Sequence, residues 1–424
     1  MAERWRIAGD PVSLIVGVIA AQLIGGLVTQ LSPFVISGLI NGLSLSERDA
    51  GFVASVEFIT LAVTAMLIAP VLPRLSWRRV GLAAVALTLL AQGASIFSSS
   101  STSFAVLRGV AGVSEGALYA VSLCVVACRC KNPDRVYGYF QVVWSVGSVA
   151  LFSAGGELTA AFALHGILAL MAGVTLALAP LLLLLPDAHA PIAASTEEDP
   201  GRASPLLGVM TLAAIVLYLT VSAAVYMFSA PLGERAGLGT SAVGYALTVA
   251  SLVGLAGAAA AAAINVRWGR AIPISTFCLA FAVVALVLCL SRHPVSYVAA
   301  LVGSCVVFYF SVPYLFGLAA ALDRSGRWAA AAGSAYLLGF AAGPLLAGAV
   351  IAAADYRGLA AVCVIGTLVT WGLAMVVERH VSKERSLAPV AAPTPNASVN
   401  AKVTQAGTTD PHAARAGRPP PAEA

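Results

Sequence analysis

Charge is scarce in this sequence. Asp, Glu, Lys and Arg make up only 10% of the 424 residues, compared with about 25% in ordinary soluble domains. Hydrophobic residues make up 59%, and the mean hydropathy is +0.91. This composition excludes a soluble globular domain and predicts a polytopic membrane protein. The net charge of +5 comes from basic residues in separate short loops rather than in one patch, which excludes a nucleic-acid partner.

Residues that bind metals or carry out catalysis are also few. The seven cysteines lie in or at the ends of apolar runs, and the five histidines are scattered over helix ends, loops and the C-terminal region. Cys124, Cys128 and Cys130 form one cluster that could bind a metal, but small buried side chains are the favoured interpretation. A polytopic membrane enzyme would need a group of His, Asp, Glu or Ser side chains at one membrane face. We therefore predict no enzymatic activity, no metal and no cofactor.

Long apolar runs dominate what is present. A helix needs about 20 apolar residues to cross a bilayer, and twelve runs reach this length. The first run is too long to be the apolar part of a cleaved signal peptide. The predicted spans are residues 12–40, 50–72, 79–98, 103–128, 137–160, 164–186, 205–230, 240–265, 271–291, 295–321, 329–353 and 358–378.

A polar, proline-containing stretch separates the first six spans from the last six. The sequence therefore predicts an all-α membrane protein with twelve transmembrane helices in two pseudo-symmetric six-helix bundles. Residues 1–186 are predicted to form the N-terminal bundle, residues 187–204 a cytoplasmic linker and residues 205–380 the C-terminal bundle. Residues 381–424 are rich in Pro, Ala and Thr, which predicts a disordered cytoplasmic tail.

Basic residues in the loops predict the orientation. With the N-terminus inside, the cytoplasmic loops hold Arg74, Arg78, Arg79, Arg129, Lys131, Arg135, Arg202, Arg267, Arg270, Arg324 and Arg327, and the opposite side holds Arg48, Arg235, Arg292 and Arg357. Cytoplasmic loops are the ones enriched in Lys and Arg. We therefore expect both termini to lie in the cytoplasm, and the chain to be a monomer in the lipid bilayer of the inner (plasma) membrane.

Basic turns recur at equivalent places in the two halves. One follows span 2 and another follows span 8, and a second pair follows spans 4 and 10. Such a repeat predicts two bundles related by an axis along the membrane normal. The residues concerned after spans 2 and 8 are Arg74 and Arg78, and Arg267, Gly269 and Arg270.

These turns resemble the loop motif of the major facilitator superfamily, and the resemblance extends over about residues 10–380. The family's loop between spans 2 and 3 reads Gly-x3-Asp-Arg-x-Gly-Arg-Arg/Lys. This chain has Ala69-x3-Pro73-Arg74-Leu75-Ser76-Trp77-Arg78, and its second copy is Ala262-x3-Val266-Arg267-Trp268-Gly269-Arg270. The resemblance implies that these loops gate the cytoplasmic face. Both copies lack the acid, which implies weaker closure or a substitute partner.

Span 4 carries the pattern Arg108-x3-Gly112-x3-Gly116, which looks like the family's proton-coupling motif. Charged side chains cost roughly 2.5–3.5 kcal/mol each at the centre of a bilayer, so they mark a pathway or a buried pair. Glu57 and Arg108 lie at similar depths in spans 2 and 4, which predicts either an ion pair or two groups that separately face a water-filled cavity. Glu115 lies near the middle of span 4, where a carboxylate readily takes and releases a proton. Hydrogen bonding within the helix packing is its alternative role.

Polar and aromatic side chains are candidates for lining a central cavity. In the major facilitator superfamily, which this sequence resembles, spans 1, 4, 7 and 10 line the route of the solute. The candidates are Gln22, Gln30, Tyr119, Gln141, Trp144, Tyr218, Tyr226, Tyr309, Tyr314 and Tyr336.

These residues favour a small organic solute with rings or hydrogen-bonding groups, and a monocarboxylate paired with Arg108 is also possible. The predicted function is secondary active transport by alternating access with proton symport, for which Glu115, Arg108 and Glu57 provide the coupling. The alternative is a proton-driven antiporter that exports drug-like or amphipathic compounds.

Overall fold

The computed structural model describes residues 6–7, 10–98, 100–131, 133–187, 205–265, 267, 269–322 and 327–387. The chain divides into two compact units, residues 1–379 and 380–424. Of the second unit, residues 380–387 are described and are helical. Most of the predicted linker (187–204) and of the predicted tail (381–424) therefore lies outside the described residues, and both stay predictions.

Among the described residues, ten helices are long and apolar enough to cross a membrane. Two of them, Pro133–Leu178 and Arg327–Leu387, contain a break and hold two spans each. The prediction of an all-α protein with twelve spans is confirmed. The spans are α1 (Val12–Leu43), α2 (Glu47–Ile68), α3 (Trp77–Ile96), α4 (Ser101–Arg129), α5 (133–162), α6 (164–178), α7 (Pro205–Met227), α8 (Thr240–Ile264), α9 (Ala271–Leu290), α10 (Pro294–Ala320), α11 (327–353) and α12 (356–387).

The two breaks are very tight helix hairpins. Ala163 separates α5 from α6 with φ 47°, and Asp355 separates α11 from α12 with φ 56°. Both lie in the left-handed region that non-glycine residues rarely adopt. A glycine follows shortly after the first break, at Gly166, where an added Cβ would overlap the carbonyl of Leu158. The hairpin therefore closes because this position has no side chain.

Serines begin two of the helices. The side chain of Ser46 accepts a hydrogen bond from the backbone N–H of Asp49 at the start of α2 (3.1 Å), and that of Ser76 accepts one from Arg79 at the start of α3 (3.4 Å). Such caps satisfy backbone donors that a helix start leaves unpaired. A small antiparallel hairpin that the hydropathy pattern does not indicate precedes α1, and in it β1 (Arg6–Ile7) pairs with β2 (Asp10–Pro11).

Each half contains helices that are packed backbone against backbone. In the N-terminal half, an added Cβ at Gly112 of α4 would overlap the carbonyl oxygen of Glu57 on α2. In the C-terminal half, Gly257 of α8 meets the carbonyl of Val306 on α10 in the same way. We call the end of the molecule that holds the α1–α2 turn (residues 44–46) the far end, and the end that holds the α2–α3 turn (residues 69–76) the near end.

Candidate functional site

Glu57 and Arg108 form an ion pair between α2 and α4. Nη1 of Arg108 lies 3.1 Å from Oε1 of Glu57, and the two side chains are 0% and 1% exposed. Of the two arrangements that their similar depths allow, the ion pair is therefore the one present, and the two groups do not face a cavity separately. A buried pair of this kind leaves a costly uncompensated charge if one partner is removed.

Two further contacts surround the guanidinium of Arg108. Its Nη2 donates to the hydroxyl of Ser95 on α3 at 2.8 Å, and its Cζ lies 5.5 Å from the centroid of the Phe104 ring. Of the three guanidinium nitrogens of Arg108, Nε alone has no hydrogen bond to a described residue. Three helices, α2, α3 and α4, thus fix the position of one permanently charged group.

Glycines on α4 make this arrangement possible. At Gly112 an added Cβ would overlap both the carbonyl oxygen of Glu57 and the hydroxyl of Thr60, and at Gly116 it would overlap the carbonyl oxygen of Leu61. Small residues four apart lie on one helix face and let two backbones approach closely. The same spacing that resembles the family's span-4 motif therefore brings α2 close enough for Glu57 to reach Arg108.

Glu115 lies two turns along α4 from Arg108 and is 0% exposed. The side chain of Gln92 on α3, which is also fully buried, lies within electrostatic range of the carboxylate, as do Glu57 and Arg108. Among the described residues, neither carboxylate oxygen of Glu115 nor either polar atom of Gln92 has a hydrogen bond of ordinary geometry. The carboxylate of Glu115 and the amide of Gln92 are therefore a buried polar pair inside the N-terminal half, and their hydrogen bonding is incomplete.

The face of α3 near Glu115 and Arg108 is polar, and none of its residues was predicted as part of the site. Thr88, Gln92 and Ser95 recur at the spacing of one helix face and are at most 1% exposed. The hydroxyl of Thr88 lies 2.7 Å from that of Ser114 on α4. The signal for this face in the sequence was the recurrence of three polar residues at helical spacing within an apolar run. We call Glu57, Arg108, Glu115 and Gln92 the charge cluster.

Four of the predicted tyrosines meet at the centre of the molecule. Tyr119, Tyr226, Tyr309 and Tyr336 come from α4, α7, α10 and α11, and each is partly buried. Tyr336 lies within electrostatic range of Tyr119 and Tyr309, and Tyr226 lies within range of Tyr309 and Tyr336. We call these four residues the tyrosine cluster. It includes residues from both halves of the chain.

Aromatic rings surround the tyrosine cluster. Tyr336 is stacked on Phe340, with ring centroids 5.9 Å apart and an interplanar angle of 10°. The ring centroids of Tyr226 and Phe340 are 6.5 Å apart, and Phe58 of α2 contacts Phe340 edge-on with a centroid distance of 6.0 Å. Phe316 completes the group at 6.2 Å from Tyr336. These phenylalanines were not predicted, because nothing in an apolar run distinguishes a ring that faces the centre from one that faces lipid.

Residues of α1 connect to this centre. The side-chain oxygen of Gln22 accepts a hydrogen bond from Ser122 of α4, and Gln22 also interacts with Tyr119. The hydroxyl of Tyr226 donates to the backbone carbonyl of Gln30 at 2.9 Å. Gln22 therefore lies beside the tyrosine cluster, whereas at Gln30 the described contact is through the backbone.

Trp144 of α5 packs directly against α1, where its ring would be 2.8 Å from a Cβ added at Gly26. The side chain of Gln141, another predicted cavity residue, lies outside the described residues. The backbone of α5 at position 141 is helical.

Two predicted tyrosines instead have contacts within the C-terminal half. Tyr218 is fully buried between Phe277 and Phe281, with ring centroids 5.2 and 5.4 Å away. The hydroxyl of Tyr314 donates to the carbonyl of Asn265 at 3.0 Å, at the end of α8. Packing and helix capping account for these two positions.

The α2–α3 turn obtains a carboxylate from elsewhere in the same half. The hydroxyl of Ser76 donates to the carboxylate of Asp187, and Nε of Arg79 lies 3.9 Å from Oδ1 of Asp187. Nε of Arg78 donates to the carbonyl of Leu185 at 2.8 Å. Asp187, which follows α6, thus supplies a carboxylate beside this turn, although it is 111 residues from Ser76 in the sequence.

The other predicted gating residues lie in turns at the near end. Arg74 ends a short 3-10 helix, Leu72–Arg74. Arg267 and Gly269 form an isolated bridge, and Gly269 has φ +70°, a conformation that favours glycine. The side chain of Arg270 lies close to Gly317 of α10. Residues 266 and 268 lie outside the described residues, and the gating role of this turn stays a prediction.

Twelve apolar spans in two halves, with a buried ion pair between α2 and α4 and aromatic rings at the centre, define a multi-pass membrane transporter. The sequence profile of the Major Facilitator Superfamily matches residues 18–323. This is well over half of the chain, so the chain belongs to the Major Facilitator Superfamily.

Solved structures of other transporters are similar to the chain. A bacterial homolog of the human lysosomal transporter Spinster, in an inward-facing and unoccupied conformation, is 15% identical with a TM-score of 0.69, covering 88% of this chain and 99% of that chain. A D-xylose–proton symporter is 14% identical with a TM-score of 0.66 (84% and 97% covered), and a mutant of the nucleoside transporter NupG is 12% identical with a TM-score of 0.65 (88% and 98% covered). At these identities the likeness shows the fold alone. No curated protein matches the chain in sequence.

Proposed function

We propose that this chain is a secondary active transporter that carries a small, uncharged organic solute together with protons. The observation that carries the proposal is the composition of the charge cluster. Glu57 and Glu115 are two fully buried carboxylates, and Arg108 is the one guanidinium with them. The Glu57–Arg108 pair is electrically balanced, so an ionised Glu115 would leave a buried net negative charge. Such a charge is costly in a medium of low dielectric constant, and binding one proton removes it.

Gln92 suits both forms of Glu115. An ionised carboxylate only accepts hydrogen bonds, whereas a protonated one also donates. The amide of Gln92 offers a donor to the first form and an acceptor to the second, so a rotation of its side chain matches each state. We infer that Glu115 carries the proton, that Gln92 positions it, and that the Glu57–Arg108 pair fixes the local electric field.

An uncharged solute fits the centre better than a monocarboxylate. The guanidinium of Arg108 is already bonded to Glu57 and Ser95 inside the N-terminal half, so it is not free to bind an anion at the centre. The tyrosine cluster offers ring faces and hydroxyl groups. Xylose and nucleosides, which name two of the similar structures, are likewise uncharged rings rich in hydrogen-bonding groups.

Alternating access accounts for the contacts between the halves. Described hydrogen bonds join α1 to α7 and α5 to α8 from the middle of the molecule toward the far end, for example Ser148 to Ser251 at 2.7 Å. The bias of basic loops favours a cytoplasmic near end. On this proposal the chain is in an inward-facing state, like the Spinster homolog, and the inner membrane holds it with both termini in the cytoplasm.

The test uses purified protein in liposomes with a trapped pH dye and an inward gradient of a radiolabelled solute. The panel is xylose, uridine, benzoate and tryptamine. We expect acidification of the lumen together with uptake of an uncharged member, and we expect Glu115→Gln to abolish the acidification because a neutral amide cannot carry a proton. Exchange of solute at equal concentrations on both sides should persist in this variant.

The matched control is Glu157→Gln, which neutralises an exposed carboxylate on α5 but keeps an oxygen that can accept from Tyr245. It should transport like the wild type. Alkalinisation of the lumen would instead indicate antiport and export. Uptake without any proton signal would make the protein a facilitator and Glu115 a packing residue.

A further inference from the structure

The short helix Ser229–Arg235 follows α7 at the far end and ends in two adjacent charged residues, Glu234 and Arg235. The helix is attached to α10, because the hydroxyl of Tyr297 donates to the carbonyl of Ser229 at 2.6 Å. Neither charged residue was predicted to have a role. Their side chains contact different halves of the molecule.

Arg235 anchors the helix within the C-terminal half. Its Nη1 donates to the carbonyl of Cys289 at the end of α9 (2.9 Å), and its Cζ lies 4.4 Å from the centroid of the Tyr356 ring. Its Nη2 lies 4.0 Å from Oδ2 of Asp355, in the α11–α12 break. The helix is therefore a rigid part of this half, and it holds the preceding residue in a fixed place.

Glu234 reaches the other half. Its Oε1 accepts from the hydroxyl of Ser37 at 2.7 Å, and its Oε2 accepts from the side-chain amide of Asn41 at 3.2 Å; both donors are on α1. Thr240 of α8 also donates to Oε1, at 2.9 Å. The donors from α1 are neutral, so the negative charge of Glu234 is what strengthens the bonds across the halves. Hydrogen bonds to a charged acceptor are stronger than those between neutral groups.

Hydrogen bonds also join α5 to α8 toward the far end, between Tyr245 and Glu157 at 2.9 Å and between Ser153 and Thr248 at 3.3 Å. The contacts between α2 and α11 at the far end are of a different kind. An added Cβ would overlap the carbonyl of Pro344 at Gly51, and it would lie close to the carbonyl of Glu47 at Gly348. These contacts bring backbones together without directional bonds, so they separate by simple sliding or rocking. The carboxylate of Glu234 must instead give up specific hydrogen bonds before α1 and α7 can part.

We propose that Glu234, held by Arg235 and bonded to Ser37 and Asn41, is the latch that keeps the far end of the transport path closed. Opening of the far end requires that these bonds break, so the strength of the latch sets the balance between the two access states. This inference rests on the proposed alternating access. It does not depend on the solute or on proton coupling.

The test measures from which side a cysteine at the centre can be labelled. Cys305 of α10 is partly buried and lies within electrostatic range of Tyr226. In a chain whose other six cysteines are replaced by serine, vesicles of both orientations are treated with a membrane-impermeant maleimide. With no substitution beyond these six, we expect Cys305 to react mainly from the near end. In Glu234→Ala, labelling from the far end should rise about tenfold or more, because several charge-assisted bonds are lost.

An exchange of acid and amide tests the specific contact rather than general stability. Asn41→Asp places a second carboxylate opposite Glu234, and Glu234→Gln removes the charge, so each should increase labelling from the far end. The double variant Asn41→Asp/Glu234→Gln restores one carboxylate opposite one amide and should return labelling toward the wild-type value. A chain that retains only Cys128, which is exposed at the near end, provides the control for vesicle orientation.

The latch is overturned if Glu234→Ala leaves labelling from the far end unchanged, or if the double variant is as open as the single ones. Equal labelling of Cys305 from both sides without any change at Glu234 would instead overturn the proposed inward-facing state. The two failures are therefore distinguishable in one data set.

Discussion

Replacement of Arg108 by leucine is expected to lower the free energy of unfolding by about 3–5 kcal/mol, because it leaves a buried carboxylate without its partner. Glu57 is 1% exposed and its described ion pair is with Arg108, so after the substitution it must be protonated or hydrated at a cost. The same logic predicts that the loss is smaller at about pH 5 than at about pH 8, since a protonated carboxyl group needs no counter-charge. Thermal unfolding of the detergent-solubilised protein measures both effects.

The double variant Glu57→Leu/Arg108→Leu is the decisive comparison. It removes both charges and fills the space with apolar side chains, and such replacements of buried pairs are often neutral or even stabilising. We therefore expect the double variant to be more stable than Arg108→Leu alone. Arg129→Leu is the control on the same helix, since Arg129 is exposed at the near end. If the effect of the double variant equals the sum of the effects of Glu57→Leu and Arg108→Leu measured singly, the two groups are not energetically coupled.

The Glu57–Arg108 pair could be predicted as one of two alternatives because its determinants are regular. Both residues lie in helices that cross the membrane, and a rise of 1.5 Å per residue converts distance from the helix end into depth. Two opposite charges at the same depth in an apolar medium have strong reason to meet. The glycines at positions 112 and 116 added that α4 is closely packed, although the sequence did not say against which helix.

Gln92 and Asp187 show where such reasoning stops. Gln92 is one polar residue in an apolar span, and its importance depends on which face of α3 meets Glu115. That face follows from the packing of three helices, which depth alone does not determine. Asp187 lies in a stretch that composition identifies as a linker, yet the described structure has it in contact with Ser76. Residues distant in sequence become partners through the tertiary fold.

Glu234 was missed for a related reason. It lies in a loop between two apolar runs, where a charged residue needs no explanation, and it is next to Arg235, so the sequence suggests a solvated pair of opposite charges. The described structure separates the two. The guanidinium contacts the C-terminal half and the carboxylate contacts α1. The direction in which each side chain points depends on the short helix, which hydropathy does not distinguish from the end of span 7.

The second large effect is expected at Gly112. An alanine Cβ at this position would overlap the carbonyl oxygen of Glu57 and the hydroxyl of Thr60, so α2 and α4 must move apart. Overpacking of this kind typically costs about 1–3 kcal/mol, and the larger side chain of Gly112→Val should cost more than that of Gly112→Ala. Because the carbonyl and the carboxylate belong to the same residue, the displacement should also move Glu57 away from Arg108.

Gly93→Ala is the matched control, since Gly93 lies in α3 and an added Cβ there meets nothing within 4 Å. Alanine is the better helix former by up to about 1 kcal/mol, so this variant should be as stable as the wild type or slightly more stable. Thermal unfolding of the two variants therefore separates the effect of close packing from that of helix propensity. If Gly112→Ala unfolds at the same temperature as Gly93→Ala, α2 and α4 are not in backbone contact, and the position of Glu57 beside Arg108 must have another cause. If the Gly112→Ala variant is destabilised and also loses proton-coupled uptake while exchange persists, the glycine serves the charge cluster as well as the fold.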